Sequence, residues 1–171
     1  MNLRIVISDY DPLWPQQFAT LRARLAHTLG GLAGAIEHIG STAVPGLAAK
    51  PVIDIDVLLR SAADLPLAIT RLASWGYEHQ GDLSIPGRQT FRTRLADIPH
   101  HLYVCPPGNE EYERHIVFRD HLRTHPEDAH AYAALKRTLA AILGDDRDAY
   151  TQAKSKFVAE ILRRNRQRAI P

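Results

Sequence analysis

The chain has 171 residues, of which 45% are apolar and 23% charged, the balance of a soluble globular protein of about one domain. A single cysteine, Cys105, excludes an intrachain disulfide and a cysteine-based zinc cage. No apolar run approaches the roughly 18 residues of a membrane span, and the formal charge of +2 predicts no strongly basic or acidic partner for the body of the chain.

The N-terminus lacks the charged-then-apolar order of a signal peptide, so a cytoplasmic protein is expected, with no membrane partner. Residues 3–7 read as a short strand. Asp11-Pro12 reads as a helix start, with proline in the first turn. Trp14, Phe18, Leu21 and Leu25 then recur at helical spacing until Gly30-Gly31. Residues 35–39 form a brief strand, followed by a loop rich in Gly, Pro and Ala up to Pro51. Val52 to Leu59 is a β-branched strand bounded by breakers, and 64–75 an amphipathic helix. Tyr77 to Gln80, Gln89 to Leu95 and His101 to Cys105 are further strands, separated by Gly81, Pro86-Gly87, Pro99 and Pro106-Pro107.

The last third is helical. Asn109 caps a helix reaching about Arg123, His125-Pro126 starts a second that Gly144 ends, and a third runs from about Arg147. Tyr150, Lys154, Phe157, Ile161 and Leu162 set its period. Four arginines (163, 164, 166 and 168) crowd the final nine residues; without them seventeen cations face nineteen anions, a balance of −2. Such a tail can touch nucleic acid or an acidic partner, but it also suits the negative pole of a helix. No aromatic or Gly-rich RNA-binding pattern accompanies it, so nucleic acid is not the expected partner. With strands first and helices after, the order predicts an α+β fold in a single domain over 1–171, strand-rich over 1–105 and helical over 109–168.

Chemistry concentrates in the stretch from His38 to Val57. Side chains alternate along a strand, so Ile53, Ile55, Val57 and Leu59 share one face and Asp54 and Asp56 the other. Two acids this close oppose each other's ionisation, and a divalent hard cation would compensate. Upstream, Gly40-Ser41 can bring backbone amides against an anion, and Lys50 can add a point charge. The loop is not a Walker loop, because Leu47-Ala48 follows Gly46. Arg88 and Arg92, with Arg94 on the same face, suit a substrate oxyanion or ion pairs with Glu110, Glu111 and Glu113. His115 and Arg119 share a helical face that can point at the sheet. His121 and His125 are four apart without the residues of a helical zinc site, and His125 reads as a helix cap.

Gly-Ser, twelve residues, then Asp54-Ile55-Asp56-Val57 resembles the signature of the polymerase-β-type nucleotidyltransferase superfamily. The longer wording resembles the GrpB family: Tyr10-Asp11-Pro12, Glu37 to Thr42, Val44 to Leu47, Ala49-Lys50-Pro51, Gly76-Tyr77, Gly87-Arg88, His101-Leu102, Arg114-His115, Phe118-Arg119-Asp120, His125-Pro126-Glu127, Tyr132, Leu135-Lys136, Lys154 and Phe157. That resemblance covers nearly the whole chain. It implies a nucleotidyltransferase-like mixed or antiparallel sheet with packed helices, and transfer of a nucleotidyl group from a nucleoside triphosphate to an acceptor.

On that footing Asp54 and Asp56 are the expected catalytic pair and ligands for Mg2+ or Mn2+. Gly40 and Ser41, with Thr42, Lys50 and Arg88, are expected to bind the nucleotide or another phosphorylated small molecule. His38, Arg92, His101, His115 and Arg119 are expected to line the site. The superfamily pattern includes a third carboxylate on a later strand; the 101–105 strand offers His101 and Tyr103 instead, and Asp97 sits at the edge of a turn. The alternative is therefore a non-catalytic nucleotide- or phosphometabolite-binding module. Some family members are fused to a dephospho-coenzyme A kinase, which implies association with coenzyme A biosynthesis.

Overall fold

A computed structural model describes residues 5–93, 97–144 and 146–168. Five strands, β1 (Ala33–Ile39), β2 (Ile53–Leu59), β3 (Tyr77–His79), β4 (Gln89–Thr93) and β5 (His100–Cys105), form one open sheet in the order β1-β2-β5-β4-β3. The sheet is mixed: β2 and β5 run parallel and the other pairs antiparallel. Among the described residues five α-helices complete the α+β fold: α1 (Trp14–Leu29), α2 (Leu65–Ala73), α3 (Glu110–Thr124), α4 (Pro126–Leu143) and α5 (Arg147–Arg168). Among the described residues no helix is long and apolar enough to cross a membrane.

The alternation of β2 fixes the two faces of the sheet. Ile53, Ile55, Val57 and Leu59 are each at most 1% exposed and pack with Leu102 and Val104 of β5 against Trp14, Leu21, Leu25 and Leu29 of α1 and Leu72 of α2. Each such buried aliphatic side chain contributes about 1.5–3 kcal/mol relative to exposure. The opposite face carries the acids. Over it, a second cluster joins Val44, Leu47 and Ala48 of the β1–β2 loop to Leu122 of α3 and Tyr132 and Ala133 of α4. That cluster clamps the glycine-rich loop to the C-terminal helices.

Several local expectations are corrected. Residues 5–7 are not a strand; Ser8 alone bridges Ala49, and Leu3 and Arg4 lie outside the described residues. The first helix begins at Trp14, so its first-turn proline is Pro15, while the Asp11 carboxylate accepts the Leu13 N–H at 2.8 Å. β4 ends at Thr93, and Arg94 and Leu95 lie outside the described residues. His125 holds the N-cap position of α4 without capping it: its ring turns back to the His121 carbonyl at 3.0 Å. Asn109 does cap α3, its side chain accepting the Tyr112 N–H at 3.1 Å.

Candidate functional site

Strand register assembles the site in two rows. Ile39, Asp54 and His101 stand side by side across β1, β2 and β5. One pleat further, Glu37, Asp56, Tyr103 and Thr90 form the second row, which reaches β4. Both aspartates thus project from the same face. Opposite the two aspartates β5 carries His101 and Tyr103 rather than an acid, and Asp97 is paired with Arg24 at 2.8 Å.

Each aspartate meets a histidine. His101 Nδ1 lies 2.8 Å from Asp54 Oδ1. His115 Nδ1 lies 2.8 Å from Oδ2 of Asp56, which is wholly buried, and its Nε2 lies 3.3 Å from Glu111 Oε1. Burial opposes the His115 charge, but the bonds to Asp56 and Glu111 outweigh it and hold the imidazolium up to about 9. Burial, with the neighbouring Asp54 charge adding to it, pushes the Asp56 carboxyl upward, and the His115 bond to Oδ2 opposes that rise. Among the described residues Asp56 Oδ1 has no hydrogen-bond partner.

The Gly40-Ser41 turn closes over the first row. Gly40 sits at φ +69°, and a Cβ there would collide with the Asp54 carboxylate. Only glycine lets the backbone approach so closely in this conformation. Ser41 and Asp54 line a cavity of about 290 Å³ bounded by α3, α4 and α5, and an adjoining pocket of about 80 Å³.

Three lysines collect beside this turn. Lys50 and Lys154 each place their Nζ 4.5 Å from the Tyr150 ring centre, and Lys136 donates to the Ala48 carbonyl. Burial, reinforced by neighbouring cations, lowers Lys136 to about 7 and Lys154 to about 8. Cations crowded this way favour a multiply charged anion between them. Lys136, Lys154, Tyr150 and Glu111 were not expected in the site. Lys154 lies one helical turn after Tyr150, but nothing in the sequence joins that turn to Lys50.

Other expected residues divide. Thr42 lines the small pocket, with its Oγ1 2.9 Å from His38 Nε2. The His38 ring is on the opposite sheet face, stacked on Phe18 at 4.7 Å, and burial lowers it to about 4, so it is neutral and does not line the cavity. Arg119 is spent on Glu37, Asp120 and the His38 carbonyl, which ties α3 to the edge strand. Arg92 is exposed and registers against Glu78. Arg88 lies with its guanidinium 4.4 Å from the Tyr103 ring centre. His121 stacks on His125 at 3.9 Å and bonds Asp128, a helix-pinning cluster. In the tail, Arg163 and Arg164 pair with Glu160.

Residues 4–164 match the family model for GrpB protein. The chain belongs to the GrpB family. A UPF0157 protein of Pseudomonas aeruginosa is 41% identical over 167 residues, covering 94% of this chain and 67% of that protein. The crystal structure of the conserved protein GrpB from Enterococcus faecalis superposes with a TM-score of 0.83 at 34% identity, covering 91% of this chain and 94% of that one. The Cid1 poly(U) polymerase with MgGTP bound superposes at 0.52 and 13% identity, over 76% of this chain and 42% of that one. This GrpB chain therefore has a nucleotidyltransferase-like fold. A dephospho-CoA kinase of Mycolicibacterium paratuberculosis is 27% identical over 90% of the chain, which spans only 44% of that protein.

Proposed function

We propose that this GrpB protein binds a nucleoside triphosphate with a divalent cation and transfers the nucleotidyl group to an acceptor. One observation carries the reading: Asp54 and Asp56 project from one face of β2, Asp54 directly against a Gly40-Ser41 turn that only glycine permits, with a lysine cluster at the side of that turn. Gly40, Ser41 and Thr42 offer polar groups to the phosphates, and Lys50 and Lys154 offer charge to the leaving polyphosphate.

The donor set fits Mg2+ or Mn2+. Asp56 Oδ1 is a buried carboxylate oxygen without a hydrogen-bond partner among the described residues, and Asp54 is the second carboxylate. Among the described residues no three His, Cys, Asp or Glu side chains converge on one point, which argues against an all-protein cage. Magnesium takes one or two carboxylates and completes its shell with water and phosphate oxygens. Bound there, the ion would neutralise charge on the phosphoryl oxygens. The protein's own part is to hold the polyphosphate on its lysines and to fix the Asp56 carboxylate through His115.

Thermal melting with ATP and Mn2+ tests this. The wild-type melting temperature should rise, and Asp54→Asn or Asp56→Asn should remove the rise; a rise that both variants keep would refute the assigned ligands. A second reading, a non-catalytic phosphometabolite-binding module of the cytoplasm linked to coenzyme A biosynthesis, draws on the His101 and His115 pairs that already occupy both acids. Pyrophosphate release by the metal-loaded protein with any acceptor would dismiss it.

A further inference from the structure

The two aspartates keep different company. The Asp54 side chain is 30% exposed and lies beside His101, which is 57% exposed. Asp56 is wholly buried beside His115. An ion arriving from solvent therefore meets Asp54 and His101 first. Both line the small pocket of about 80 Å³ that also holds Ser41, Lys50 and Lys154.

The two histidines differ in what their second nitrogen meets. His115 has a carboxylate at each ring nitrogen, Asp56 at Nδ1 and Glu111 at Nε2, so both nitrogens are donors and neither offers a lone pair. Among the described residues His101 meets one carboxylate, Asp54, at Nδ1. With its hydrogen on Nε2, the neutral ring presents the Nδ1 lone pair, the state in which imidazole binds metal.

The spacing suits an ion as well as a hydrogen. Two donors about 2.1 Å from one octahedral ion and at right angles stand about 3.0 Å apart. Asp54 Oδ1 and His101 Nδ1 are 2.8 Å apart. The sheet fixes the pairing, because Asp54 and His101 face each other across the parallel strands β2 and β5. The other β5 residue on this face, Tyr103, stands opposite Asp56, and burial pushes its phenol up so that it stays neutral. Among the described residues no three His, Cys, Asp or Glu side chains already converge. The shell beyond this pair is left to water, phosphate oxygens and the free Oδ1 of Asp56.

A nitrogen in the shell decides which ion is taken. Mg2+ is hard, keeps its waters and takes oxygen ligands. Imidazole suits the first-row transition ions, whose affinity for a given site rises from Mn2+ to Co2+.

We propose that Asp54 and His101 form a mixed oxygen–nitrogen chelate that selects a transition ion, Mn2+ or Co2+, over Mg2+. The assignment deepens the nucleotidyl-transfer reading and rests on it for the phosphate oxygens that complete the shell. The ion takes the place of the hydrogen between Nδ1 and Oδ1, and the neutral ring carries its hydrogen on Nε2.

Calorimetric titration of the untagged full chain with Co2+, Mn2+ and Mg2+ alone, and pulsed EPR of the Mn2+-loaded protein, test the chelate. Co2+ should bind more tightly than Mn2+, and Mn2+ more tightly than Mg2+. The EPR should show the modulation of a directly bound imidazole nitrogen. His101→Ala, at an exposed position, should weaken Co2+ about tenfold or more and erase the nitrogen signal. The same change should leave Mg2+ within about twofold. His101→Asp, which offers oxygen alone, should narrow the gap between Co2+ and Mg2+. His130→Gln, on an exposed position of α4, should alter neither reading. No nitrogen signal in the wild type, a signal that survives His101→Ala, or equal Co2+ affinity in those two proteins would overturn the chelate. Failure of ATP to bind the Mn2+-loaded wild type would instead strike the nucleotidyl-transfer reading and leave the chelate standing.

Discussion

His115 Nδ1 meets Asp56 Oδ2 at 2.8 Å, and this one bond joins α3 to the most deeply buried acid of the sheet. Asp56 is 0% exposed, so its charge depends on a partner that the protein itself supplies. Removing one member of such a pair leaves an uncompensated charge. His115→Ala should therefore cost about 3 kcal/mol of stability at neutral pH. Asp56→Asn in the same chain should restore much of it, because the charge to be compensated is gone. Urea unfolding of both single variants and the double variant measures the coupling; strictly additive costs would show that the bond carries no energy.

Gly40 supplies a second, sharper test. At φ +69° any other residue is strained, and its Cβ would strike the Asp54 carboxylate. Gly40→Ala should cost about 1–3 kcal/mol from the backbone alone. It should also push Asp54 out of line and reduce Mn2+–ATP affinity by more than Ser41→Ala does. Calorimetric titration of the two variants checks the ranking, and equal affinities for Gly40→Ala and wild type would dissociate the turn from the acid.

The lysine cluster makes a prediction about the anion alone. Lys50 and Lys154 flank the Tyr150 ring beside Ser41, so inorganic tripolyphosphate should bind without metal, and more weakly as salt rises. Lys154→Met should lower that affinity about tenfold. Lys156→Met, on an exposed position of the same helix, should leave it unchanged. Equal losses in the two variants would mean a diffuse field rather than a site.

The acids were legible in the sequence because strand alternation is a local rule. Asp54 and Asp56 lie two residues apart between apolar neighbours, and that pattern is enough to place them on one face. The absence of an acid on β5 could be read the same way. What could not be read were partners set by long-range packing. Glu111 looked like one of several acids in a helix first turn, yet the docking of α3 brings it to His115 and to the wall of the cavity over Asp54. Lys154 carried only a helical period, and its meeting with Lys50 depends on how α5 crosses the loop before β2. His38 shows the converse. It sits in motif-like wording beside Gly40, but alternation along β1 turns its ring to the core, against Phe18.

Lys136 gives the last prediction, through pH. Its ammonium is buried, donates to the Ala48 carbonyl and is lowered from 10.5 to about 7. Between those values the unfolded chain holds the proton and the folded chain does not, so this group adds stability as pH rises, by at most about 1.4 kcal/mol per pH unit. Lys154, lowered to about 8, acts in the same direction. His115 opposes both. Its pKa is raised from 6.5 to about 9, so its contribution is complete below 6.5 and is lost as pH climbs through 9. In the wild-type protein these terms partly cancel. Lys136→Met should remove one rising term, so the variant should lose stability relative to wild type progressively from pH 7 upward. The lost bond to Ala48 adds an offset that does not vary with pH. Urea unfolding of both proteins at pH steps from 6.5 to 9.5 reads the difference, and curves that stay parallel across that range would show that Lys136 keeps its charge in the folded state.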